Sequence, residues 1–130
     1  MPKILVIDDE VHIQKLIDYK LRTAGYTVIA AADGLEGLEK ARGEQPDLIL
    51  LDVMMPRMDG FQTLEALKRD PSTKAIPIFM LTVKGKEMDR LRGQQQGVAA
   101  YITKPFSPNG LLARIEETLR PPSVSSADSR

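Results

Sequence analysis

The chain has 130 residues, with 18 basic and 18 acidic side chains and neither cysteine nor tryptophan. That length suits one domain with a sizeable core, and the zero net charge excludes a globally basic nucleic-acid or membrane-surface binder. Without cysteine there is no disulfide scaffold, thiolate metal site or thiol chemistry; no apolar run approaches the ~20 residues of a membrane helix, and residues 1–7 do not resemble a signal peptide, so a cytoplasmic location without membrane contact is expected.

Residues 4–7 form a short aliphatic run, read as a strand, that passes into Asp8 and Asp9. Ile13, Leu16, Ile17, Leu21 and Ala24 then fall on one helical stripe, and Gly25 sits where that helix should stop. His12, the only histidine, lies off the stripe and is read as solvated. A second strand is predicted over 26–30. Asp33 with Glu36 resembles a capping box for a weaker helix marked by Leu35 and Leu38, with Gly43 as its stop.

The third strand, 48–51, is continuously apolar and runs into Asp52. Phe61, Leu64 and Leu67 mark a third helical stripe, and the run 76–81 a fourth strand leading to Thr82. Met88 and Leu91 suggest a weak fourth helix ending at Gly97. Its Lys84, Lys86, Arg90 and Arg92 are interleaved with Glu87 and Asp89, which favours a solvated face over a nucleic-acid patch. The run 99–102 leads to Thr103 and Lys104. Ser107 before Pro108 opens a last helix with Leu111, Leu112, Ile115 and Leu119 on one stripe. Met54, Met55, Met58, Met80 and Met88 are read as fillers of core and loop gaps. From 121 to 130 the chain is polar and aperiodic, a disordered tail or linker after a domain spanning 1–120.

Five βα units with continuously apolar strands predict an α/β fold: a doubly wound, five-stranded parallel sheet with helices on both faces. In such a sheet the strand C-termini share one edge, and ligands bind where the strand order reverses. Asp8, Asp9, Asp52, Thr82 and Lys104 all follow or end strands and should therefore converge. Each alone is an ordinary strand-end polar residue; together their chemistry is complementary. Clustered carboxylates repel one another unless a hard cation such as Mg²⁺ joins them. A lysine and a threonine beside the metal offer a charge and a hydroxyl to phosphoryl oxygens, and a carboxylate can itself be the nucleophile. Asp8-Asp9-Glu10 stands where a glycine-rich phosphate loop would be, which argues against nucleotide binding.

Ile7-Asp8-Asp9-Glu10, the stretch from Leu51-Asp52 to Asp59-Gly60, Leu81-Thr82 and Tyr101-Ile102-Thr103-Lys104-Pro105-Phe106 resemble the receiver domain of two-component response regulators. The resemblance implies the flavodoxin-like strand order 2-1-3-4-5. It implies that Asp52 accepts a phosphoryl group from a sensor histidine kinase or phosphotransfer protein. Asp9, Asp52 and the Met54 backbone carbonyl would hold Mg²⁺, with Asp8 acting through water. Lys104 would pair with Asp52 or its phosphate, Thr82 would move toward the phosphate, Tyr101 would swing inward, and Lys104-Pro105 would be a cis peptide. The face of the fourth helix, fifth strand and last helix would then signal to a downstream protein.

Two departures from the family pattern stand out. Val83 replaces a small residue beside the phosphate position. The last third resembles receivers of winged-helix DNA-binding regulators, yet Ala99, Ala100 and Asn109-Gly110 replace acids that pair across a phosphorylation-dependent dimer, leaving Arg114 without them. A mainly monomeric domain without direct nucleic-acid contact is expected. An aspartyl-phosphate phosphatase or transferase would need a separate general acid/base and a cap, neither visible in the sequence. A phosphorylation-independent module would not need the full Asp8, Asp9, Asp52, Thr82 and Lys104 set.

Overall fold

A computed structural model describes residues 2–55, 58–83 and 97–120. Their elements are β1 (Lys3–Ile7), α1 (Val11–Thr23), β2 (Thr27–Ala31), α2 (Gly34–Glu44), β3 (Leu48–Asp52), α3 (Gly60–Arg69), β4 (Ile78–Val83), β5 (Ala100–Lys104) and a last helix, α4 (Pro108–Leu119). The helix predicted around Met88 and Leu91, with its charged face, and the 121–130 tail lie outside the described residues. So do Pro56 and Arg57.

All five strands pair in parallel, in the order β2-β1-β3-β4-β5. The strand alternation divides the apolar residues between two layers. Leu5, Ile7, Ile49, Leu51, Ile78 and Met80 pack with Leu38, Ala41, Phe61, Leu64 and Leu67 of α2 and α3. Ile4, Val6, Leu48, Leu50, Phe79 and Leu81 pack with Ile17, Leu21, Leu111 and Ile115 of α1 and α4. β3 is buried throughout, which explains its unbroken apolar run.

Several boundaries differ from the sequence reading for identifiable reasons. Ile76 closes a turn through its amide to the Thr73 carbonyl, and β4 begins only after Pro77, which has no N–H to give a ladder. Helix α2 runs through Gly43. Its end is Gln45, left-handed at φ 50°, whose side-chain amide donates to the Ala41 and Arg42 carbonyls just before Pro46. Gly25 does take the left-handed conformation after α1, at φ 99°. Asp33 accepts from the Glu36 amide, but Glu36 reaches past it to the Ala32 amide, so only half of the capping box forms there. The complete box is Asp59 with Gln62 at the start of α3. Leu16 and Leu35, at the margins of their stripes, are exposed, as is Met54; Met55 and Met80 are buried as gap fillers. Ser107 caps α4 by accepting from the Gly110 amide. Among the described residues no helix is long and apolar enough to cross a membrane.

Asp70, the last residue before the 71–76 turn, ties α3 to α2. Its carboxylate accepts from Arg42 Nε at 2.6 Å and from the Ser72 amide and hydroxyl, which hold it down at about 2. The group therefore favours folding fully above its unfolded value near 4, and that contribution disappears as pH falls through about 2. In the Arg42→Ala protein the Asp70 carboxyl resonance should titrate closer to the ordinary range. A midpoint unchanged in an NMR titration would show that Arg42 does not set it.

Candidate functional site at the strand ends

The chain leaves β1 toward β2 on one side and returns to β3 on the other, so the ends of β1 and β3 flank the point where the order reverses. Asp8 follows β1, its amide donating to the Ala31 carbonyl, and Asp52 ends β3. Both are almost wholly buried, at 1% and 3% exposure. Asp8 Oδ1 accepts from the Glu10 amide at 2.8 Å, which bends the chain into α1.

Lys104 ends β5 and reaches past β4 to this point. Its Nζ donates to Asp8 Oδ2 at 3.1 Å, to Asp52 Oδ1 at 3.2 Å and to Glu10 Oε1 at 2.9 Å. The bond from Lys104 to Pro105 is cis. One oxygen each from Asp8, Glu10 and Asp52 lies within 4.8 Å of the others, a group able to hold a metal ion. Asp52 Oδ2 is buried and has no hydrogen-bond partner among the described residues. Asp9, Glu10, Ile13, Asp52, Met54, Val83, Lys104 and Pro105 line a cavity of about 470 Å³.

The electrostatics follow from one ammonium among three carboxylates. Burial and then the Asp8 charge push Asp52 up to about 7, against the opposing pull of Lys104 and the Met54 amide. Burial likewise raises Asp8, opposed by the Glu10 amide and Lys104. Burial works against the Lys104 charge, but Glu10, Asp52 and Asp8 outweigh it and hold the ammonium more firmly protonated than usual.

The sequence reading named Asp8, Asp52 and Lys104, and these three are in contact. Asp9 lines the cavity but stands outside the close carboxylate trio; Glu10, not expected in the site, completes it. Thr82 is fully buried within β4, its hydroxyl donating to the Val83 carbonyl at 3.2 Å. Tyr101 is half-buried, opposite Met80 in the register, and Val83 is 45% exposed at the cavity wall. Met54 lines the same wall. His12 is solvated as expected. Ala99 is exposed, whereas Ala100 is buried against Phe79, so only the first of the two alanines stands at the surface.

Residues 4–116 match the family model described as the response regulator receiver domain. The chain belongs to this family. It is 45% identical over 127 residues to the alkaline phosphatase synthesis transcriptional regulatory protein PhoP of Bacillus subtilis (strain 168), covering 98% of this chain and 52% of that protein. It is 45% identical over 120 residues to the DNA-binding dual master transcriptional regulator RpaA of Synechocystis sp., covering 92% and 50%. The receiver therefore spans about half the length of the curated relatives it matches. Among solved structures, the chemotaxis response regulator CheY4 of Vibrio cholerae superposes with a TM-score of 0.84 at 37% identity, covering 92% of this chain and 99% of that one. As a receiver domain of two-component response regulators, the chain is a signalling switch rather than a metabolic enzyme.

The raised Asp52 sets a pH dependence. Folding favours its protonated form, so the destabilisation is absent below about pH 4, grows as pH rises and is complete above about 7. Asp52→Asn should be more stable than the native chain by about 1–3 kcal/mol at about pH 8 and equal to it near pH 4. Chemical denaturation at the two pH values checks this, and a variant less stable at both would contradict the assignment.

Proposed function

We propose that Asp52 is the phosphoacceptor of this receiver, taking a phosphoryl group from a sensor histidine kinase or a phosphotransfer protein. The observation that carries the reading is the Asp52 carboxylate itself: Oδ1 is held by Lys104, Oδ2 is buried and without a partner among the described residues, and Asp52 lines an open cavity. An ionised Oδ2 forms the new P–O bond as the donor's P–N bond breaks. The electron pair returns to the imidazole, which takes a proton from solvent. Lys104 then transfers part of its attention from the carboxylates to the phosphoryl oxygens.

The donor set fits a hard divalent cation: among the described residues three carboxylates share one ammonium, and one of their oxygens, Asp52 Oδ2, has no hydrogen-bond partner. Asp9, Asp52 and the Met54 carbonyl would hold Mg²⁺, with Asp8 acting through water and Glu10 alongside. Bound there, the ion supplies positive charge to the carboxylate and to the phosphoryl oxygens during transfer.

Once formed, the phosphate draws the Thr82 hydroxyl from its weak bond to the Val83 carbonyl, and Tyr101 follows inward. That motion reaches the face of β5 and α4 and thereby a downstream protein. The domain itself makes no direct nucleic-acid contact in this reading; DNA binding, which the name of RpaA states for that protein, would belong to a region beyond the matched half. Val83 at the wall narrows access to the acceptor. The exposed Ala99 and Gly110 leave Arg114 without acidic counterparts, so the domain remains mainly monomeric.

Incubation with a small phosphodonor tests the reading. Mg²⁺ should be required, Asp52 should carry the label by mass spectrometry, and Asp52→Asn should take up none; labelling in excess chelator would overturn the metal assignment. Sedimentation at micromolar concentration, with and without a phosphoryl mimic, should show a monomer in both. A tight dimer formed only with the mimic would refute the monomer reading.

A further inference from the structure

We infer that Gly60 is a positioning residue for Asp52: its missing side chain lets the first turn of α3 seat against the backbone of residues 52 and 53 and so fixes where the carboxylate stands. This rests on reading Asp52 as the phosphoacceptor. Gly60 is buried, and a Cβ added to it would overlap the Asp52 carbonyl oxygen and lie 2.7 Å from Val53 Cα and 3.0 Å from the Asp52 carbonyl carbon. These are backbone atoms and cannot rotate away as a side chain could. The Gly60 backbone is not left-handed, so close approach rather than conformational freedom calls for glycine here.

The seat is fixed from both sides. The Gly60 amide donates to the Val53 carbonyl at 2.9 Å, while the Val53 amide donates to the Leu81 carbonyl of β4 at 2.9 Å. The α3 first turn is itself braced. Asp59 and Gln62 close a reciprocal capping box, the Thr63 hydroxyl donates to the Asp59 carbonyl, and Phe61 and Leu64 are anchored in the α2–α3 layer. With α3 held by its cap and core, and β3 by its two neighbours, a new Cβ at Gly60 presses on the backbone where β3 ends, at Asp52 and Val53, and has to displace it. That displacement moves the Asp52 carboxylate and the Met54 backbone that follows.

The test uses the full chain and three proteins: wild type, Gly60→Ala, and Ile115→Ala, a core truncation on the opposite layer that lowers stability without touching α3. Phosphodonor labelling is followed against donor concentration at saturating Mg²⁺, and the amide resonances of residues 52–55 are compared. Gly60→Ala should lower the maximal labelling rate about tenfold or more with donor half-saturation changed less than about twofold, because misplacing a reacting group costs rate rather than encounter. Its 52–55 amides should shift, while Ile115→Ala should leave both rate and amides as in wild type.

A Gly60→Ala protein with wild-type rate or unmoved amides overturns the inference, as does an equal rate loss in Ile115→Ala. If Gly60→Ala does not fold, Asp59→Ala combined with Gln62→Ala frees the same turn without adding bulk. That variant should label about threefold slower with the same amides displaced, and unchanged behaviour overturns the inference. A wild-type chain that takes its label elsewhere than Asp52 refutes the phosphoacceptor reading instead, and the amide comparison still decides whether Gly60 places residues 52–55.

Discussion

A single ammonium shared among three carboxylates, two of them nearly inaccessible to water, is the arrangement on which the site depends. Away from bulk solvent, the repulsion between Asp8 and Asp52 is poorly screened, and each also loses hydration. Lys104 offsets part of this at 2.9–3.2 Å from all three acids, but one positive charge cannot balance three negative ones. Among the described residues this leaves a deficit of positive charge, which makes the pocket receptive to a cation, and one carboxylate oxygen without a hydrogen-bond partner. The fold tolerates this local cost because the sheet beneath it is apolar and continuous.

That sheet also explains how residues so distant in sequence meet. Parallel pairing aligns every strand C-terminus along one edge, and the reversal between β1 and β3 puts two acids side by side. Lys104 comes from the far edge of the sheet, and the length of its side chain carries the charge across β4. Thr82, on that intervening strand, is fully buried and pairs in register with Thr103 of β5. A rearrangement at Asp52 therefore meets β4 as the adjacent strand and reaches β5 directly through Lys104.

Much of this was legible because strand ends announce themselves where an aliphatic run meets an acid, a threonine or a lysine. Asp8, Asp52 and Lys104 were found that way, and the burial of Ile17, Leu21, Leu64 and Leu67 follows from helical spacing alone. Glu10 was not found, because an acid in a turn looks like any solvated acid until the partner arriving from β5 is known. The inward side of Ala100 was available from the alternation with Ile102, but the comparison with acidic relatives drew attention to charge rather than to facing. Gly43 misled because glycine commonly follows a helix; here the carbonyls are capped instead by the Gln45 side chain, an arrangement visible only in three dimensions. The Asp59–Gln62 box has the same spacing signature as Asp33 with Glu36, yet only the latter pair stood out in the sequence, and it forms only half of a box.

Gln14 gives the site a property of a different kind. Its side-chain amide donates one hydrogen bond to the Asp8 carbonyl and another to the Ala31 carbonyl, both at 2.7 Å, lashing the first turn of α1 to the ends of β1 and β2. Both anchor points are main-chain oxygens, so the attachment makes no use of the Asp8 carboxylate. The mechanical support of the helix and the chemistry of the acid are thus separate circuits meeting at one residue. The carboxylate is free to exchange an ammonium for another positive partner while the scaffold that carries it stays tied down.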